Sequence, residues 1–313
     1  VPRNPCAIAP ICGQVRVFVW VSFKALKLVH SQNQAVRITS FAFSSVLLMA
    51  ATSAKSAWAL LDLPNLASHA ATYELSLKRA TQMDGVRAAS GKMTYTLVDR
   101  CDGYTVETDL DVSLAFSNGI ETQILKRYAG WESKDGRRAT YRMQVYDNGS
   151  LESSYTGAVT LAADGSGIAT YDGSHKLSYD LPAGTMLSIT QLRELIRAGQ
   201  DAQPLVVQSV MDGAFEEGPY RVTGFVAPSR NLTKANDEDG MSITVAKDAE
   251  LLMNAYWPIT LAYFALGKER DMPDYETSVQ LLPNGIIRGM TQDYGAYTLS
   301  MDLIKLTKRD GGC

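Results

Sequence analysis

Over much of the chain apolar and polar residues alternate one by one, the period of a strand with one buried face. Ala71, Tyr73, Leu75 and Leu77 alternate with Thr72, Glu74, Ser76 and Lys78, and Met93, Tyr95 and Leu97 repeat the pattern. The longest run follows Cys101. Tyr104, Val106, Thr108, Leu110, Val112, Leu114 and Phe116 share one parity; Thr105, Glu107, Asp109, Asp111 and Ser113 share the other. A helix would scatter these residues around its circumference, so the stretch reads as one long strand. Tyr141, Met143 and Val145 alternate in the same way, as do Tyr297, Leu299, Met301 and Leu303. Between the runs stand Ser117-Asn118-Gly119, Lys134-Asp135-Gly136, Asp147-Asn148-Gly149, Asp164-Gly165 and Asp172-Gly173. Asn-Gly and Asp-Gly supply the positive φ angles of tight hairpin turns. The pattern predicts a mainly β protein, a single large antiparallel meander curling back on itself, with one or two short helices.

The clearer helix is expected from Ser188. Ser188-Ile189-Thr190-Gln191 has the form of a capping box, Ile189, Leu192, Leu195 and Ile196 make an apolar stripe, and Gly199 is the expected stop. A second, short helix is expected within Lys247 to Asn254, ending before Trp257-Pro258. Strands resume at Leu205–Val210 and Tyr220–Val226, and again from Ile259, with Pro283-Asn284-Gly285 as a late turn. No linker or repeat interrupts 60–313, which reads as one domain.

Residues 1–59 are built differently. They carry six basic residues and no acid, whereas from Leu60 onward 24 basic residues face 33 acidic ones. Arg37 precedes an uncharged run from Ile38 to Ala54, and Ala57-Trp58-Ala59 has the small-residue form of a cleavage site. This predicts a signal peptide cut between Ala59 and Leu60 and export from the cytosol. The rival reading, a retained membrane anchor, meets a run of only 17 residues, rich in Ser, Thr and Ala. The long approach before it, holding Cys6 and Cys12, reads as an over-extended start. The acidic body argues against nucleic acid as a partner, which requires a basic footprint.

Two cysteines remain after the cleavage site, Cys101 and Cys313. In an oxidising compartment they are expected to pair and tie the front of the domain to its end; the alternative is one buried thiol and one loose tail thiol. His69 follows Ser68 and His175 follows Ser174, but neighbours on a strand face opposite sides, so a nucleophile–base pair is not expected at either, and both histidines read as structural. Asp237-Glu238-Asp239-Gly240 lacks the spacing of a calcium loop, and Asp109 and Asp111 read as a solvated strand face. G-x-S-x-G, H-E-x-x-H and C-x-x-C are all missing, so neither catalysis nor a cofactor or metal is expected. The fifteen tyrosines could line a cavity for an apolar ligand, or could simply be packing residues of strands.

Several landmarks occur in a fixed order. They are Ser68-His69-Ala70-Ala71-Thr72-Tyr73-Glu74-Leu75, Cys101-Asp102-Gly103-Tyr104, Trp131-Glu132 before Asp135-Gly136, and Tyr146-Asp147-Asn148-Gly149. Leu181-Pro182-Ala183-Gly184-Thr185, Asn284-Gly285-Ile286, Asp293-Tyr294-Gly295-Ala296-Tyr297 and the terminal Cys313 follow. In this the chain resembles the EipB-like (envelope integrity protein B) family of alphaproteobacterial periplasmic proteins, over nearly all of 60–313. The resemblance implies a spiral antiparallel sheet, a disulfide between Cys101 and Cys313, and a role in envelope integrity without enzymatic activity. It also implies periplasmic protein partners, helical-repeat proteins among them. A carrier of lipid or another apolar ligand is the alternative function, and a hydrolase a more distant one. Ala70, after the Ser-His pair, and Met186-Leu187-Ser188, after Pro182-Ala183-Gly184, depart from the family pattern.

Overall fold

A computed structural model describes residues 63–81, 85–174, 176–213, 218–231, 249–252, 255–267 and 271–312. The alternating runs become the strands β1 (His69–Ala80), β2 (Val86–Asp99), β3 (Gly103–Phe116), β4 (Glu121–Ser133), β5 (Arg138–Asp147) and β6 (Ser150–Leu161). The shorter β7 (Gly167–Asp172), β8 (Lys176–Leu181) and β9 (Thr185–Leu187) lead into the helix α1 (Ser188–Gln200). After it come β10 (Leu205–Met211), β11 (Tyr220–Val226) and β12 (Arg230–Asn231), then a 3-10 turn at Ala249–Leu251. The last strands are β13 (Ala255–Ala265), β14 (Tyr275–Leu281), β15 (Ile287–Asp293) and β16 (Tyr297–Lys308).

Fifteen strands lie on one hydrogen-bonded path, β8-β7-β6-β5-β4-β3-β2-β1-β16-β15-β14-β13-β11-β10-β9, and β12 adds to β13 off this path. Every neighbouring pair on the path is antiparallel except β9 with β10, which is parallel. The edges β8 and β9 follow one another in the chain across Pro182-Ala183-Gly184, with no ladder between them. The sheet is therefore a nearly closed barrel with one unsealed seam. Closure removes most of the exposed backbone edge that an open sheet of this size would present.

Parity decides the inside. In β3, Tyr104, Val106, Thr108, Leu110, Val112 and Leu114 are buried while Glu107, Asp109, Asp111 and Ser113 are exposed. In β16 Tyr297, Leu299, Met301 and Leu303 are buried, and an irregularity opposite Thr72/Tyr73 shifts the phase so that Leu306 is buried too. The turns follow their composition: Asn148 (φ 48°) and Gly149 (φ 81°) both take left-handed angles between β5 and β6, as a two-residue hairpin demands.

Three local expectations are corrected. The helix starts at Ser188, but its N-cap is Leu187 and no side-chain cap bond forms there, because a carboxylate from another strand occupies the helix end. Gly199 does not stop the helix. It lies inside the last turn because the Trp257 ring packs so closely that a Cβ there would be 2.5 Å from it. The stop is a Schellman motif in which Ala202 (φ 54°) takes the left-handed position, Ala202 N–H donates to Gly199 O (3.3 Å) and Gln203 N–H to Ala198 O (2.8 Å). Trp257 and Pro258 belong to β13, and of the short helix expected before them only the turn Ala249–Leu251 falls among the described residues.

Candidate functional site

Of the residues singled out from the sequence, Ser68, His69 and Cys101 lie at one end of β1. That strand is flanked by β2 and β16 and is antiparallel to both, so His69 lies opposite Leu97 on one side and Lys308 on the other. The segments leaving β2 and β16 are thereby delivered to the same place. Arg100 forms a parallel bridge with Gly312, Gly312 N–H donates to Asp99 O (3.0 Å), and Cys101 Sγ lies 2.9 Å from Gly312 O. Cys313 lies outside the described residues, as do Ala59 and Leu60, His175, and Asp237-Glu238-Asp239-Gly240. The junction borders a hollow of about 540 Å³ with Arg100, Lys134, Lys308 and Arg309 around it.

Ser68 and His69 do face apart. Ser68 Oγ accepts a bond from Asp99 N–H (2.9 Å), while His69 is buried inside, with its ring 5.7 Å from that of Tyr95. Nδ1–H of His69 donates to Ala67 O (2.7 Å), which leaves Nε2 unprotonated. Burial lowers the His69 pKa, so the imidazole is neutral. Ser68 and His69 do not bond to one another, so this pair activates no nucleophile. Asp109 and Asp111 are on the exposed face of β3, engaged by Arg127 (3.8 Å) and Gln123 (2.8 Å) respectively.

The sequence reading missed the residues that dock α1. Nine of its thirteen residues are buried, far more than one amphipathic face. Glu132 on β4 receives the helix N-terminus: Oε2 accepts from Ile189 N–H (2.7 Å), and Oε1 from Thr190 N–H (2.8 Å) and Thr190 Oγ1–H (2.7 Å). At the other end Gly199 packs on Trp257 of β13, seven strands along the path from β4. A helix of about 20 Å thus bridges two distant parts of the wall. Arg193 clamps the incoming chain, donating from Nε to Pro64 O (2.9 Å) and from Nη2 to Leu63 O (2.9 Å). Lys134 stacks 3.9 Å over the Tyr104 ring and pairs with Asp99, linking this clamp to the cysteine junction. Burial pushes Glu132 up to about 7 even though three donors and Arg193 pull the other way. Its inward parity with Tyr128 was the available signal: a carboxylate on a buried face must have partners.

Tyrosines fill much of the interior by packing on one another. Tyr141, Tyr155 and Tyr179 surround Tyr171 at 5.3, 5.6 and 6.0 Å, and Tyr263 stacks on Tyr275 at 4.5 Å. Beneath Glu132 a gap of about 20 Å³, the size of one water, separates α1 from the wall. A much larger hollow, about 900 Å³, opens on the outer face across β3 to β8. Among the described residues no three His, Cys, Asp or Glu are placed to share a metal ion, and no helix is long and apolar enough to cross a membrane.

The fold and this interior define a class: nearly closed antiparallel β-barrels bridged inside by a single helix. The sequence profile of the EipB-like family matches residues 61–310, and the chain belongs to that family. It is 26% identical over 279 residues to the cell envelope integrity protein EipB of Brucella abortus, covering 88% of this chain and 96% of that protein. It also resembles the crystal structure of a beta-barrel-like protein, described as a domain of unknown function, from Brucella abortus. That similarity has a TM-score of 0.71 at 24% identity and covers 79% of this chain and all of the other, a likeness of fold.

Proposed function

We propose that the chain is an exported, non-enzymatic protein of the periplasm that supports cell-envelope integrity by binding protein partners, helical-repeat proteins among them. The observation that carries this reading is the near full-length match to a protein named for cell-envelope integrity. Cleavage between Ala59 and Leu60 releases the domain, and a Cys101–Cys313 disulfide fastens its end. The bridge Arg100–Gly312 supports that pairing, since it holds the residue before Cys313 beside the residue before Cys101.

Deleting the gene in its own host tests the function. Increased sensitivity to detergent, restored by the wild-type gene, is expected; unchanged survival overturns the envelope role. Purification from the periplasm, with bound proteins and lipids identified together, tests the mode of action. Reproducible protein partners support this reading, and a stoichiometric lipid would replace it with a carrier. Loss of complementation by a normally folded His69→Ala variant would bring back a hydrolase.

A further inference from the structure

The hollow on the outer face has a regular construction. Register places Thr105, Trp131, Thr140, Ala158, Thr170 and Ser178 directly opposite one another across β3 to β8, in a single row perpendicular to the strands. A second row, two residues along, is Glu107, Ala129, Arg142, Thr156, Asp172 and Lys176. Side chains of both rows point outward, because the residues between them carry the inward parity. That inward row alternates Gly130, Tyr141, Gly157 and Tyr171. A Cβ at Gly157 would sit 2.3 Å from the Tyr141 ring, and one at Gly130 2.5 Å from the Tyr128 hydroxyl. The Tyr141 ring and the Tyr128 side chain occupy the space that a Cβ would need at these two glycines. The trough holds about 900 Å³ and crosses six strands, about 24 Å at the usual strand spacing.

The chemistry of the trough selects among occupants. β3 to β7 are paired on both sides and offer an incoming peptide no free backbone to extend; among the strands crossing the trough only the edge strand β8 has a free side. Trp131 is the one long apolar side chain in the two outward rows, Leu177 lying on the inward row opposite Tyr171, which disfavours an acyl chain. Arg142 and Lys176 are balanced by Glu107 and Asp172, so no net charge draws a polyanion. What remains is a row of hydroxyls that includes one half-buried indole, between Thr105 and Thr140, beside a row carrying hydrogen-bonding charged groups. The Asp172–Lys176 pair at 3.7 Å is exposed and contributes little by itself, so both groups are available to a ligand. Hydroxyls and ionised groups donate to and accept from sugar hydroxyls, and an aromatic ring receives the apolar face of a pyranose. We propose that this outer trough binds an extended, uncharged glycan chain.

The test uses the protein from residue 60 and three probes: chitohexaose, cellohexaose and laminarihexaose, each with its disaccharide. Titration calorimetry with at least one hexasaccharide is expected to give saturable binding at least tenfold tighter than its disaccharide, because only the longer chain spans the rows. Ala158→Lys, placed in the trough floor and independent of the indole, should weaken it at least tenfold with an unchanged melting temperature, and Trp131→Ala, which also removes packing on Gly103, should weaken it at least tenfold. No binding of any hexasaccharide at millimolar concentration overturns the proposal. So does binding that Ala158→Lys leaves intact, which would put the glycan elsewhere. Self-association in sedimentation that Ala158→Lys abolishes, without glycan binding, would assign the trough to a second copy of the chain and overturn it as well.

Discussion

Replacing Glu132 by glutamine should change how stability depends on pH more than it changes stability at any single pH. Burial raises the Glu132 pKa from 4.5 to about 7, so the folded protein holds this proton more tightly than the unfolded chain does. Below pH 4.5 the group is protonated in both states and no charge is buried. As the pH rises from 4.5 to 7 the unfolded chain ionises first, and stability falls across that window; above 7 both states are ionised and the loss is constant. A shift of this size corresponds to about 3 kcal/mol, a large part of the net stability of about 5–15 kcal/mol typical of a domain. The amide of the variant has no proton to exchange in this range. The assay is denaturant unfolding of wild type and Glu132→Gln between pH 4 and 8, followed by tyrosine and tryptophan fluorescence. The difference in unfolding free energy, wild type minus variant, should drop by about 3 kcal/mol from the acid to the alkaline end. A flat difference would refute the reasoning, and would mean that the three donors of α1 and the Arg193 guanidinium fully offset the burial of the charge.

Other consequences are independent of this one. Ala202→Gly should raise stability by about 1 kcal/mol, because an alanine in the left-handed position is strained, and thermal melting will read it. Gly91→Ala should cost about 2 kcal/mol or more, since the new Cβ would meet the Asp111 carbonyl oxygen at 2.2 Å and the Val112 Cα at 2.9 Å, neither of which can turn aside; denaturant unfolding measures it. Cys101→Ser should lower stability by up to about 5 kcal/mol in the chain-entropy model, because pairing with Cys313 would close a loop of more than 200 residues. The same loss should appear in wild type under reductant, and equal melting of reduced and oxidised protein would contradict the pairing.

The amino-acid sequence by itself determined the strands, their inward faces, the hairpin turns and the family. Each of these is a local matter. A period of two sets which residues of β1 or β3 face inward wherever the strand ends up, and Asn148-Gly149 turns the chain because of its own backbone preferences. The same reasoning separates Ser68 from His69 correctly, since alternation needs no knowledge of neighbours. The tertiary structure decided what depends on residues brought together from afar. A capping box legible at Ser188 is overruled by Glu132, 57 residues from its partner Ile189, because a buried carboxylate and an unsatisfied helix end each cost more alone than together. Gly199 is a plausible helix stop until Trp257 fills the space beside it. The outer trough appears in no single strand, for it exists only when register aligns small residues and glycines across six of them. Such alignment rests on long-range pairing, and a one-residue slip in any of those ladders would turn its hydroxyls inward and erase it.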